Sequence, residues 1–161
     1  MRLKSKQVQR FSARALAVAT VAGAALAGLA GTATAIPTDP AIPFSPTLTR
    51  VPGGNCAAII NAETVPQPES GVFGVRVKVT TTGQFCGAYR VEVRWKNLDT
   101  GRTNGQSQRI DENGVIDAPG GVITGFGMGP GPGRVEAQIV TTYEDHREME
   151  YIPGRLTWTL G

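Results

Sequence analysis

The sequence predicts an all-β fold, one antiparallel β-sandwich behind a short N-terminal export segment. Three observations predict it. Apolar and polar residues alternate with period two through four long segments, turns rich in Gly, Asn and Pro break the chain at intervals of about ten residues, and no window of a dozen residues carries an apolar repeat of helical period.

The N-terminus does not belong to that pattern. Arg2, Lys4, Lys6, Arg10 and Arg14 form a basic segment without an acidic residue, and Ala15 to Ala30 is uncharged and built of Ala, Val, Leu, Gly and Thr. Ala33-Thr34-Ala35 then places small residues where signal peptidase reads, just before Ile36-Pro37. A charged region, an apolar region and an A-x-A site are the three parts of a secretory signal. The apolar stretch is shorter than the roughly 20 residues that span a bilayer, which predicts cleavage after Ala35 and no stable membrane span afterwards. No Cys lies beside the cleavage site for lipid attachment, and no Arg-Arg pair points to twin-arginine export. The predicted destination is the extracellular space, with association to the cell envelope as a variant of it.

Residues 36–46 hold Pro37, Pro40, Pro43 and Pro46, a density that excludes helix and central strand and predicts an extended leader. The predicted domain is 47–161. Its clearest strands are Val72–Thr80, with Phe73, Val75, Val77 and Val79 on one face, and Tyr89–Lys96, with Tyr89, Val91, Val93 and Trp95. Arg134–Thr142, with Val135, Ala137 and Ile139, and the final segment with Leu156, Trp158 and Leu160 repeat the pattern. Each has one face for a core and one for water. Thr47–Val51, Cys56–Asn61, Ser107–Ile110, Gly114–Ile116 and Val122–Phe126 are weaker strands, and Asp99-Thr100-Gly101, Asn104-Gly105, Asn113-Gly114 and Pro119-Gly120-Gly121 are turns. Tyr143–Glu150 is the best helical candidate, although Met149 and Tyr151 also fit a strand. Seven to nine short strands predict a single immunoglobulin-like sandwich in the sense of layered architecture, with strand order open.

The whole chain holds 16 Lys and Arg against 13 Asp and Glu, a net charge of +3. The signal contains five of the basic residues and none of the acidic ones, which leaves 11 against 13 and a net charge of −2 over residues 36–161. That balance lacks the basic footprint of nucleic-acid binding, where clustered cations displace phosphate counterions. Cys56 and Cys86 are the only cysteines, and in an exported chain they most simply pair with each other. On loop-closure entropy, such a bond stabilises by about 3–4 kcal/mol.

The Ala-rich signal, the Pro-rich leader, the Cys pair and the stretch from Val91 through Trp95 and Asn97 to Gly101 together resemble small secreted actinobacterial immunoglobulin-like β-sandwich proteins of uncharacterised function. The resemblance covers mainly residues 86–142. It implies an exported β domain and transfers no catalytic residue.

Chemistry-bearing sets are sparse. His146 is the only histidine and lies in Glu144-Asp145-His146-Arg147-Glu148, either an acid/base pair or a solvated, charged loop. Two Cys and one His fall short of a zinc site, so neither a metal nor a cofactor is predicted. Ser45, Ser70 and Ser107 sit in no Gly-x-Ser-x-Gly elbow. Gly125 to Gly133 does not match a phosphate-binding glycine loop and predicts a long flexible hairpin, with exposure of Phe126 and Met128 to a partner as the second reading. With Trp95, Tyr89, Phe73 and Trp158 in the apolar phase of their strands, Phe126, Tyr143 and Tyr151 remain for stacking against a sugar ring. These residues and His146 are the candidate ligand contacts. The expectation is a monomeric, non-enzymatic surface-interaction domain whose partner is an envelope protein or glycan. A glycan-binding module is the first alternative, and a small hydrolase using His146 with Glu144 or Asp145 the second.

Overall fold

The computed structural model describes residues 40–161, so the predicted signal and the first residues of the leader lie outside the described residues. Nine strands follow in order: β1 (Thr47–Arg50), β2 (Ala57–Pro66), β3 (Phe73–Thr82), β4 (Tyr89–Asn97), β5 (Thr103–Ile110), β6 (Val122–Ile123), β7 (Gly133–Thr142), β8 (Tyr151–Ile152) and β9 (Gly154–Leu160). They form two antiparallel sheets, a five-stranded one in the order β6-β3-β2-β1-β8 and a four-stranded one in the order β5-β4-β7-β9. The only helical pieces among the described residues are two three-residue 3-10 turns, Pro119–Gly121 and Phe126–Met128. Tyr143–Glu150 is a chain of turns.

The alternation read from sequence places the core. Ile60, Phe73 and Val75 on one sheet face Tyr89, Val91, Val93, Val135 and Ile139 on the other, all essentially without solvent contact. Phe73 and Trp158 meet edge to face across the gap, with ring centroids 5.0 Å apart. The described part of the leader lies along β2: the Phe44 N–H donates to Ala62 O and the Thr64 N–H to Ile42 O, and the Phe44 ring is buried in the core.

Two predicted turns are corrected. Asn104-Gly105 lies inside β5, opposite Trp95 and Arg94, and the reversal between β4 and β5 is Leu98–Arg102, where Gly101 takes φ +74°. A turn dipeptide does not reveal whether a partner strand can hold it extended. The stretch from Gly125 to Gly133 is not a flexible hairpin either. It carries the chain from β6 in one sheet to β7 in the other, and it is pinned along its length. The Trp95 indole Nε1–H donates to Gly127 O, the Asn97 amide Nδ2–H to Pro130 O and Pro132 O, and the Gly131 N–H to Gly71 O. Met128 is fully buried in the core, which removes it from the residues available to a partner. Gly114–Ile116 is reduced to a single bridge between Ile116 and Ile110, and Val122–Phe126 to the two residues of β6.

The bond between Cys56 and Cys86 is present. It lies just past the end of the β2–β3 ladder, whose last register pair is Ala57 with Thr82. Along the β8 margin of that sheet the two layers are joined. β1 pairs with β8, while Ser45 N–H donates to Arg155 O and the Gly154 N–H to the Thr47 hydroxyl, so one stretch, residues 150–155, hydrogen-bonds β1 before continuing as β9 beside β7.

Candidate functional site

The sequence places Thr-Leu-Thr-Arg in β1, and the strand is set with the threonines inward and Leu48 and Arg50 outward. This inverts the usual preference, since a half-buried strand ordinarily buries its aliphatic residue. The inward hydroxyls are satisfied: Thr47 Oγ1 accepts the Gly154 N–H at 2.8 Å, and Thr49 bonds the Thr141 hydroxyl at 2.7 Å. Leu48 is thereby held in solvent.

Register gives it neighbours of the same kind. Leu48 pairs with Ile59 on β2 and with Ile152 on β8, so three aliphatic side chains stand in one row across three adjacent strands. They are 45%, 44% and 63% exposed, respectively. The next row holds Thr82, Ala57 and Arg50, with Glu150 beside Arg50, and the two charges form an exposed ion pair at 3.2 Å. Together these residues line a shallow groove of about 530 Å³ on the outer face of the five-stranded sheet.

Just beyond the same end of β2 and β3, Phe85 is 95% exposed and holds φ +57°, in the left-handed region. From Val79 to Tyr89 and from Val51 to Ala57, the two loops around the disulfide carry no charged residue.

The outer face of the four-stranded sheet is of another kind. Arg94 is paired with Glu92 and Glu148, Arg109 with Glu144 and Glu112, Arg155 with Glu136, and Arg134 with Asp99. Hydrogen bonding to Glu92 leads the causes that raise the Arg94 pKa, and Arg94 in turn leads those that hold Glu148 below the usual carboxylate range. Burial, followed by the charge of Glu148, raises Tyr151, whose hydroxyl donates to Glu148 Oε2.

The sequence-predicted contacts fall in separate places. Tyr143 and His146 belong to the turns after β7, where the His146 N–H donates to Tyr143 O. Glu144 accepts from Arg109 and Asp145 from Arg147, so neither carboxylate is engaged with His146, and the Arg147 guanidinium lies over the Tyr143 ring at 5.1 Å. Tyr151 is in β8. Phe126, fully exposed, sits beside Gly127 and Trp95, whereas Tyr143 follows Thr142, the partner of Arg90 at the other end of β4. The five residue steps of β4 from Arg90 to Trp95 span about 17 Å. Phe126, Tyr143 and Tyr151 therefore do not form one row for a sugar to stack upon.

Sequence reasoning missed Leu48, Ile59, Ile152 and Phe85. For the first, a signal was present: Thr-Leu-Thr-Arg fits a strand whose apolar phase points away from the core. Among the described residues no group of three or more His, Cys, Asp or Glu is placed to hold a metal ion, and no helix is long and apolar enough to cross a membrane. The fold and this face define a two-sheet β-sandwich with an apolar outer row on one layer and an ion-paired surface on the other. No family model matches the chain, and no curated protein or solved structure shows significant similarity to it.

Proposed function

We propose that this is an exported, non-enzymatic surface-interaction domain that docks a protein of the cell envelope on the outer face of β2, β1 and β8. The single observation that carries the reading is the in-register row Ile59–Leu48–Ile152, three aliphatic side chains displayed by a strand that buries threonine instead. Contiguous exposed apolar surface on a rigid sheet marks interaction sites, and interface centres are depleted in charge. An aliphatic row suits a protein partner better than a glycan, because sugar rings stack on aromatic faces.

Export rests on the three-part N-terminal segment, cleavage after Ala35 and the resemblance to secreted actinobacterial domains. The immunoglobulin-like reading is supported by connectivity: β3 passes to β4 in the other sheet, β4 and β5 form a hairpin, β6 returns beside β3, and β7 crosses again to lie beside β4. In that reading β1 is an added strand that fills the margin between β2 and β8. The hydrolase alternative has lost its motivating geometry, since Glu144 and Asp145 are committed to arginines.

The test is retention of the labelled exported protein on intact cell envelopes, comparing wild type with Leu48→Glu/Ile152→Glu. Both positions face water, so the variant should keep its thermal midpoint and bind at least tenfold more weakly, as for loss of a central apolar contact. Unchanged retention overturns the assignment of this face.

A further inference from the structure

We propose that the Cys56–Cys86 bond is a reducible clamp on the Phe85 loop rather than a staple of the sandwich. Oxidised, it holds Phe85 in the left-handed region with its ring in solvent; reduced, the loop relaxes while both sheets stay folded. The inference concerns a redox-sensitive element and stands independently of the docking face.

Four observations carry it. First, β2 and β3 are already zipped by register pairs from Ala57–Thr82 to Pro66–Phe73, so the bond is not needed to set their alignment in the folded state. Second, the bond reaches from the residue just before β2 to the fourth residue beyond β3, which makes Gly83, Gln84 and Phe85 the segment it constrains. Third, the backbone there is forced: Gly83 takes φ +116° and Phe85 φ +57°, a conformation that a bulky L residue rarely adopts. An added Cβ on Gly83 would lie 2.5 Å from Asn55 O, so the loop is pressed against the facing β1–β2 loop. Fourth, the Phe85 ring returns nothing to the core for that strain, being almost wholly exposed, and Cys86 is only half-buried where it packs against the margin of the core. Strained or exposed disulfides are the labile ones.

The chemistry is dithiol exchange. One thiolate of a dithiol attacks the Cys86 sulfur, and the S–S electron pair leaves on Cys56. The second thiol of the reagent then closes on the mixed disulfide and releases Cys86. Both cysteines end as thiols, and the dithiol leaves as its own cyclic disulfide.

The experiment is reduction of the folded protein by dithiothreitol without denaturant, read by thiol titration and amide hydrogen exchange. The expected result is two sulfhydryls appearing at a rate proportional to dithiothreitol and faster than global unfolding. Protection is then lost at the Gly87 N–H, which donates to Pro52 O at 2.7 Å, and kept along the β2–β3 and β4–β7 ladders. A rate independent of dithiothreitol and equal to that of unfolding overturns the proposal, as does loss of ladder protection along with the bond. Phe85→Asn supplies a second reading: Asn tolerates the left-handed region, so the reduction equilibrium at a fixed dithiothreitol ratio should fall by about fivefold. An unchanged equilibrium means that Phe85 stores no strain, and contradicts the clamp.

Discussion

The hydroxyls of Thr49 and Thr141 hydrogen-bond at 2.7 Å inside the sandwich, joining β1 of one sheet to β7 of the other across 92 positions of sequence. This contact sits where residues 150–155 bridge the two layers, and it fixes the face of β1 that points inward. Were β1 to slip by one residue, Leu48 would enter the core and Thr49 would leave it.

A double-mutant cycle follows from that pair. Thr49→Val strands the Thr141 hydroxyl in the interior and should cost about 1–3 kcal/mol, whereas after Thr141→Val the Thr49 hydroxyl still reaches Arg50 O at 3.1 Å and Glu150 O at 3.4 Å, so that substitution should cost less. The double variant should cost clearly less than the sum, because both buried hydroxyls are gone. Urea denaturation of the four proteins measures it, and strict additivity would show that the bond contributes nothing.

Glycine requirements separate cleanly at two positions. An added Cβ on Gly127 would lie 2.1 Å from Gly105 O, a backbone atom that cannot give way, whereas Gly54 has nothing within 4 Å. Gly127→Ala should therefore destabilise by about 2 kcal/mol or more, and Gly54→Ala should stay within about 0.5 kcal/mol of wild type. Thermal midpoints compare them. Equal midpoints would mean that the crossover from Gly125 to Gly133 is not pressed against β5.

Stability should fall at both pH extremes, for separate reasons. The Arg134 N–H, then its guanidinium, hold Asp99 below the usual carboxylate range. A native pKa below the unfolded one means that the stabilisation is complete above about pH 4 and is lost as pH falls through the native value. Asp99→Asn should flatten that acid limb. At the other extreme, burial pushes Tyr89 up to about 12, outweighing the Thr81 hydroxyl. Here the protonated form is favoured on folding, so its stabilisation is full below the unfolded value near 10 and is lost as pH rises from there toward about 12. The Tyr89 and Thr81 hydroxyls are buried without a well-formed hydrogen bond, so Tyr89→Phe should be nearly neutral at pH 7 and should flatten the alkaline limb. Thermal midpoints across pH, with and without each substitution, check both signs.

Much of the core was legible because β4, β9, β3 from Val75 and β7 as far as Ile139 alternate, and alternation reports burial on one face without knowledge of the partner strand. The disulfide was legible because two cysteines leave one pairing. What failed depends on contacts distant in sequence. Asn104-Gly105 looks like a hairpin turn until β4 holds it straight, and the Gly125–Gly133 stretch looks flexible until Trp95 and Asn97 bind its carbonyls. The candidate site was hidden for the same reason. Leu48, Ile59 and Ile152 lie in three separate segments, and only the registers of β1 with β2 and β8 line them up. Phe85 carries no local mark at all, since its left-handed backbone arises where two loops and a disulfide meet.

The most direct test of the docking face is site-specific photocrosslinking of the exported protein on intact envelopes, with the photoreactive residue placed in turn at 48, 152, 126 and 146. One common protein adduct is expected from positions 48 and 152, and none from 126 or 146. Adducts confined to position 126 or 146, with the row on β1 and β8 silent, would contradict it.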